Sequence, residues 1–109
     1  MRIFTLLFLI GTFTISSQKV YSSDYKSQSD VNIFVVDYKS QADLLVHKVD
    51  YKSQAKGNKG LWFFVDNKSE ADVKAFFVDY KSQADLKIFF VDYKSQAGWR
   101  KKEQKHLLY

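Results

Sequence analysis

The sequence of 109 residues contains no cysteine, no proline and only two histidines. The absence of cysteine excludes a disulfide framework, thiolate metal sites and a cysteine nucleophile. Two histidines, His47 and His106, are too few for a histidine-rich metal centre. Disorder is excluded as well, because 46% of the residues are hydrophobic and 17% are aromatic. At this length the chain can form one domain at most.

The first 17 residues have the pattern of a secretory signal peptide. Met1 and Arg2 form a short basic start, residues 3–15 are mostly apolar, and the small Ser16 and Ser17 follow. This apolar run is shorter than the roughly 20 residues that a membrane-spanning helix needs. We therefore expect cleavage after Ser16 or Ser17, no transmembrane anchor afterwards, and a mature domain over residues 18–109. Its location is predicted to be secreted or periplasmic.

The formal net charge of +5 is concentrated in the carboxyl-terminal tail. Residues 100–109 hold four basic side chains against Glu103, whereas the preceding chain interleaves Lys with Asp. Interleaved charges of this kind are typical of a solvated surface, so no nucleic-acid partner is predicted.

Six copies of one unit, Asp-Tyr-Lys-Ser-Gln-Ala-Asp in its fullest form, follow the signal segment. The units start 13, 13, 16, 13 and 13 residues apart, so the chain divides into two sets of three. The three extra residues fall within residues 56–60. The units begin at Asp24, Asp37, Asp50, Asp66, Asp79 and Asp92.

The segments between the units predict β-strands. They are five or six residues long and rich in Val, Ile and Phe. They are apolar on both faces, which indicates strands that are covered on both sides. The sequence therefore predicts an all-β domain with a closed or multiply wound body of about seven strands. The predicted strands are 19–23, 31–36, 44–49, 61–65, 73–78, 86–91 and 106–109.

The serial units, the central Gly-Asn-Lys-Gly-Leu-Trp-Phe-Phe-Val and the closing Ala-Gly-Trp-Arg-Lys-Lys and His-Leu-Leu-Tyr resemble the bacterial septoil-knot family. The resemblance extends from about residue 19 to residue 109. It implies a compact all-β monomer whose backbone winds into a seven-crossing torus knot, and it carries no established activity. The repeat pattern by itself fits a chain that circles one axis twice, and it fits a simple β-solenoid equally well.

The first aspartate of each unit, from Asp24 to Asp92, and the serine of each Lys-Ser dipeptide are predicted to accept hydrogen bonds from turn amides. Calcium is disfavoured, because pairs such as Asp37 and Asp43 bracket a lysine and lack the glycine-rich spacing of calcium repeats. Six equivalent Lys-Ser dipeptides argue against a hydrolase, since catalysis needs one asymmetric site. We therefore predict no enzyme, no catalytic residue, no metal site and no cofactor. His47 is expected to be a half-buried core residue.

The aromatic residues are the candidates for surface binding. The repeated tyrosines are expected to cover neighbouring units with their hydroxyls in water. Trp62 and Trp99 are expected to seal the ends of the core, and the alternative is that they stack on a sugar ring. The leading hypothesis is thus an exported structural or interaction domain, with a glycan or another envelope protein as partner. The alternative is a glycan- or anion-binding module that uses Tyr38, Tyr51, Tyr80, Tyr93, Trp62 and Trp99.

Overall fold

Seven β-strands alternate with 3-10 turns along residues 17–108, the part of the chain that the computed structural model describes. Five strands confirm the predicted β-rich runs, and each ends one residue earlier than predicted. The strands are β1 (Lys19–Ser22), β2 (Val31–Val35), β3 (Leu44–Lys48), β4 (Leu61–Phe64), β5 (Val73–Phe77), β6 (Leu86–Phe90) and β7 (Gly98–Trp99). The 3-10 segments are Lys26–Gln28, Lys39–Gln41, Lys52–Gln54, Lys68–Glu70, Lys81–Gln83, Lys94–Gln96 and Lys102–Leu108.

Six of the strands close into one parallel ring. Their order is β4-β1-β5-β2-β6-β3, and β3 pairs with β4 to complete the ring. The first half of a strand pairs with one neighbour and its second half with the other, as in β2, where Val31 faces Ala75 and Val35 faces Ile88. The strands are therefore strongly staggered around the barrel, and β7 adds antiparallel to β3.

The chain circles the barrel twice. Strands β1, β2 and β3 form the first lap, and β5 and β6 of the second lap lie between them. This arrangement confirms the predicted body of two sets of three units. A simple solenoid is excluded, because the second lap is inserted between the strands of the first rather than stacked beyond it.

Each connection passes over the outside of a strand. Between β2 and β3, for example, Val36 N donates to Ile88 O (2.9 Å) and Asp43 N donates to Lys87 O (2.7 Å), both on β6. Equivalent bonds place three of the other connections over β1, β2 and β5. The strands therefore pack against the barrel interior on one face and beneath the connections on the other, as their two apolar faces predict.

The three extra residues in the centre of the sequence let the chain step back by one position in the ring, from beside β1 to the position of β4. The connection that leaves β3 reaches β1, where Gln18 N donates to Ala55 O (3.0 Å) and Ser17 bridges to Lys56. Because β1 already occupies that place in the ring, the chain turns back through residues 56–60 into β4. Gly60 has a φ of +85° there, and a Cβ atom on it would lie 2.3 Å from Leu45 O. The insert is a tightly packed turn.

The core fills the barrel interior in layers. The middle layer takes one side chain from each strand of the ring, and all six are fully buried: Val20, Ile33, Val46, Trp62, Ala75 and Ile88. The layer towards the amino-terminal ends of the strands contains Gln18, Val31, Leu44, Val73 and Leu86.

The prediction of a strand over 106–109 is wrong. Lys102–Leu108 is a 3-10 helix, and the seventh strand is Gly98–Trp99. The helix closes the amino-terminal opening of the barrel, where Leu108 is buried and its carbonyl accepts a hydrogen bond from Gln18 Nε2 (3.2 Å). The free edge at the start of β3 is taken by β7, and Leu107 and Leu108 instead pack against the core, which removes their apolar surface from water.

The predicted signal peptide lies outside the described residues, except for Ser17. Ser17 Oγ donates to Asp72 Oδ2 (2.7 Å), so cleavage after Ser16 would retain this bond in the mature domain. Between residues 17 and 108, no helix has the length and apolar character that crossing a membrane requires.

Candidate functional site

The tyrosines of the repeat stand at the start of the 3-10 turns. Tyr38 has extended backbone angles (φ −132°, ψ 141°), and its carbonyl accepts a hydrogen bond from Gln41 N (3.0 Å) that closes the turn. Tyr38, Tyr51, Tyr80 and Tyr93 are 66–68% exposed, and Tyr25 is 64% exposed. The tyrosines therefore lie at the surface in contact with water, but at this exposure they cover little of the neighbouring units, contrary to the prediction.

The six turns form a girdle around the barrel, because each lies outside a different region of the ring. Two of the turns are in direct contact, since Lys68 Nζ donates to Gln28 Oε1 (3.3 Å). Each turn also carries an exposed lysine directly after its first residue. We define the tyrosine girdle as these turns, with the first residues Tyr25, Tyr38, Tyr51, Asn67, Tyr80 and Tyr93.

One turn of the girdle forms without a tyrosine. At Asn67 the backbone is again extended (φ −112°, ψ 129°), Glu70 N donates to Asn67 O (3.0 Å), and Ala71 N donates to Lys68 O (3.1 Å). These bonds match those of the tyrosine turns. The tyrosine side chain is therefore not needed for the turn to form.

The two tryptophans lie inside the domain or at its margin. Trp62 is 0% exposed, and its Nε1 donates to Gln18 Oε1 (3.0 Å). The prediction of Trp62 as a surface binding residue is wrong, because its ring fills the middle layer of the core. Trp99 is half-buried, and its Nε1 donates to the carbonyl of Asn58 (2.9 Å). Trp99 packs against the core at its amino-terminal end, as the sealing interpretation predicts, whereas Trp62 lies in the middle layer and seals neither end.

Aspartate carboxylates accept hydrogen bonds that hold the connections in place, but these aspartates are not the ones that were predicted to do so. Within residues 17–108, neither the first aspartate of each unit nor the hydroxyl of a Lys-Ser serine makes a side-chain hydrogen bond. The second aspartate does: Asp85 Oδ2 accepts from Asn32 N (2.9 Å), while Asp85 N donates to Asn32 O (2.8 Å). Three further aspartates, Asp30, Asp43 and Asp72, make the same reciprocal pair with the strand beneath. The sequence alone could not distinguish the two aspartates of a unit.

Asp43 differs from its equivalents because the tail covers it. It is 2% exposed, and its carbonyl accepts hydrogen bonds from the backbone amides of Arg100 (2.8 Å) and Lys101 (3.0 Å). Its Oδ1 faces Lys101 Nζ at 3.7 Å, and its Oδ2 lies 3.9 Å from Lys87 Nζ. Asp43 therefore fixes the tail to the amino-terminal end of the barrel.

The carboxyl-terminal end of the barrel is lined by aromatic rings, which sequence reasoning did not identify as a site. The last inward-facing residue of each second-lap strand is a phenylalanine, whereas the first lap provides Ser22, Val35 and Lys48 at the equivalent positions. Lys48 Nζ lies 4.6 Å from the ring centroid of Phe90 and 5.5 Å from that of Phe64. We call Val35, Lys48, Phe64, Phe77 and Phe90 the aromatic mouth. The 13-residue period of these positions is the sequence signal that could have revealed it.

The remaining chemical candidates have structural contacts. His47 is half-buried, as predicted, and its Nδ1 lies 3.2 Å from Val91 O beneath a connection. His106 Nδ1 lies 3.0 Å from Glu103 O in the tail helix. Across residues 17–108, no group of three or more His, Cys, Asp or Glu side chains lies close enough together to hold a metal ion.

The comparisons with known proteins identify the family. No curated protein and no solved structure matches this chain. The family described as the 7(1) septoil knot domain matches residues 17–100, which is more than half of the sequence. Two interleaved laps, with each connection passing outside a strand, are the winding that a torus knot requires. The chain therefore belongs to the septoil knot domain family, and its all-β barrel is wound as a seven-crossing knot.

Proposed function

We propose that the protein is an exported, non-catalytic domain of the bacterial envelope or its surroundings, and that its tyrosine girdle binds an extended anionic glycan. The observation that carries the proposal is the turn at Asn67. The same 3-10 turn forms there without tyrosine, so folding does not require the five tyrosines that are 64–68% exposed. A binding surface accounts for large aromatic side chains that the fold leaves in solvent.

The chemistry of the girdle suits a sugar polymer that carries negative charge. A tyrosine ring offers an apolar face to a sugar ring, and its hydroxyl offers a hydrogen bond. The adjacent lysine provides an ammonium group for a carboxylate or sulfate. Each contact is weak because it is exposed, but several equivalent sites around one barrel raise the affinity for a repeating ligand.

Two sequence features support the non-catalytic and exported parts of the proposal. The six Lys-Ser dipeptides occupy equivalent exposed turns, whereas a catalytic serine needs a single preorganised and desolvated base. The pattern of residues 1–17 supports export.

Isothermal titration of the purified chain with a polyuronate, and in parallel with neutral dextran, tests this function. We expect binding to the polyuronate that weakens with salt, and weaker or no binding to dextran. Replacing all five girdle tyrosines by asparagine, the residue that the sixth turn already contains, should reduce polyuronate affinity by at least about 100-fold.

The matched control replaces the same five tyrosines by phenylalanine. This variant keeps the aromatic faces, so we expect it to retain most of the affinity. Circular dichroism should show the same fold for both variants. Absence of binding to either polymer, or equal binding by the asparagine variant, would overturn the proposal.

A further inference from the structure

The two ends of the barrel differ in charge. The first aspartate of each unit lies two residues after the last residue of a strand, so all six lie at the carboxyl-terminal end around the aromatic mouth. All six are exposed, and their carboxylates accept no hydrogen bond within residues 17–108. This acidic rim consists of Asp24, Asp37, Asp50, Asp66, Asp79 and Asp92.

The mouth inside this rim is apolar and already holds one ammonium group. Phe64, Phe77 and Phe90 are half-buried, and Val35 is 40% exposed. Lys48 Nζ lies over two of the three phenylalanine rings. The rings therefore present their faces to cations, and six surrounding carboxylates outweigh the single charge of Lys48.

The opposite end of the barrel is basic. The insert and the tail are joined there, since Asn58 Nδ2 donates to Lys105 O (3.0 Å) and Trp99 Nε1 donates to Asn58 O. The basic residues of this end are Lys56, Lys59, Arg100, Lys101, Lys102 and Lys105, together with Lys19, Lys74 and Lys87 near the starts of the strands. Its acidic residues are Glu103 and the second aspartates Asp30, Asp43, Asp72 and Asp85, so the basic side chains outnumber the acidic ones by nine to five. Lys56, Lys59 and Lys102 are exposed, and none of the three forms an ion pair within the described residues.

We propose that copies of this domain stack head to tail, with the basic end of one copy on the acidic rim and aromatic mouth of the next. The argument is charge complementarity between two surfaces of the same chain, one of which has an exposed apolar centre. The two surfaces lie at opposite ends of the barrel, so the contact is heterologous and repeats along the barrel axis without closing. The tyrosine girdle lies on the flanks and remains accessible, so this assembly does not depend on the proposed function.

Sedimentation velocity of the purified chain tests the stacking. At low ionic strength the weight-average mass should rise continuously above that of one chain as the concentration increases towards about 1 mM. In 1 M salt it should return to the mass of a single chain, because charges are screened within about 3 Å. A single-chain mass at every concentration and at both ionic strengths would refute the assembly.

Charge-reversal variants identify the two surfaces. A rim variant, Asp37→Lys with Asp66→Lys and Asp79→Lys, has two basic ends, and an end variant, Lys56→Glu with Lys59→Glu and Lys102→Glu, has two acidic ends. We expect each alone to sediment as a single chain and an equimolar mixture to associate, since the opposite charges meet again. If the mixture fails to associate, or if either variant alone still stacks, the assigned surfaces are wrong.

The matched control reverses three lysines of the girdle, Lys26→Glu, Lys39→Glu and Lys81→Glu. It changes the net charge by the same amount as the end variant but alters neither end of the barrel. We expect it to stack as the unmodified chain does and to lose polyuronate binding. Loss of stacking in this control would show that net charge, and not the paired ends, drives association.

Discussion

Gly60 is a position where the fold leaves no room for a side chain. It takes a φ of +85°, and a Cβ atom on it would lie 2.3 Å from Leu45 O. We predict that Gly60→Ala lowers the free energy of unfolding by roughly 3 kcal/mol or more, because strain in the left-handed region adds to a clash with backbone. Urea unfolding followed by circular dichroism measures this loss.

Gly57 provides the matched control in the same turn. Its φ is +74°, but the nearest atom to an added methyl group would be Cε of the flexible Lys59 side chain, at 3.2 Å. Gly57→Ala should therefore cost only about 1 kcal/mol, the expense of the left-handed backbone alone. Equal losses in the two variants would contradict the role assigned to the backbone clash at Gly60.

A buried hydrogen-bond chain joins Trp62, Gln18 and Leu108 across the amino-terminal half of the core. Gln18→Leu leaves both the Trp62 N–H and the Leu108 carbonyl without this partner, so we predict a loss of about 3 kcal/mol. In a Trp62→Phe background the same change should cost roughly 1–2 kcal/mol less, since one unpaired donor is then absent. A double-mutant cycle in urea measures this coupling, and strict additivity would show that the hydrogen bond contributes nothing.

At the scale of the element, the reciprocal aspartate pair fixes four of the six connections to the strand beneath them. We predict that Asp85→Ala, at an exposed pair, costs about 1 kcal/mol because water replaces the lost acceptor. Asp43→Ala should cost roughly 2–3 kcal/mol, since Asp43 is buried beneath the tail and the Lys87 amide would lose its acceptor there. Thermal or urea unfolding of the two variants gives the comparison.

Asparagine at position 43 separates the two contributions of the carboxylate. Asp43→Asn keeps an oxygen for the Lys87 amide but removes the negative charge that faces Lys87 and Lys101. We expect a loss intermediate between none and that of Asp43→Ala. If Asp43→Ala were no more damaging than Asp85→Ala, the tail would not depend on this residue.

The elements of the fold were largely predictable because the same sequence pattern recurs in six units. Strand positions, the division into two laps and the double cover of the strands all follow from a 13-residue period with apolar residues on both faces. The prediction for the tail is wrong because His-Leu-Leu-Tyr has a β-like composition, and only the structure shows that the free edge of β3 is taken by Gly98–Trp99. Composition could not reveal that the structural aspartate is the second of each unit, because that depends on which strand lies beneath.

The candidate sites were predictable to a smaller extent. Exposed tyrosines follow from their place in polar turns, and their prediction needed no tertiary information. Trp62 belongs to the core because the ring places it opposite other inward-facing residues, which the local sequence does not specify. The aromatic mouth and the two charged ends exist only once parallel strands bring equivalent residues of all units to one end of the barrel.

The whole molecule is held together by pairings between residues that are distant in sequence. Val20 pairs with Val73, and Leu44 pairs with Ile88, so the barrel cannot begin to close until the second lap meets the first. Such non-local topologies fold slowly because loop closure precedes most favourable contacts. A knotted chain must also pass one of its ends through a loop.

Threading can be measured directly in this protein, because the usual causes of slow folding are absent. With no proline and no cysteine, neither prolyl isomerisation nor disulfide exchange can produce a slow phase. We therefore predict that refolding from urea, followed by circular dichroism, takes seconds or longer, and that a stable folded domain fused to one terminus slows it by about 10-fold or more. A disordered segment of equal length on the same terminus is the control, because it can pass through a loop and should leave the rate nearly unchanged. If folded fusions at either terminus refolded as fast as the disordered control, threading would not limit the folding of this barrel.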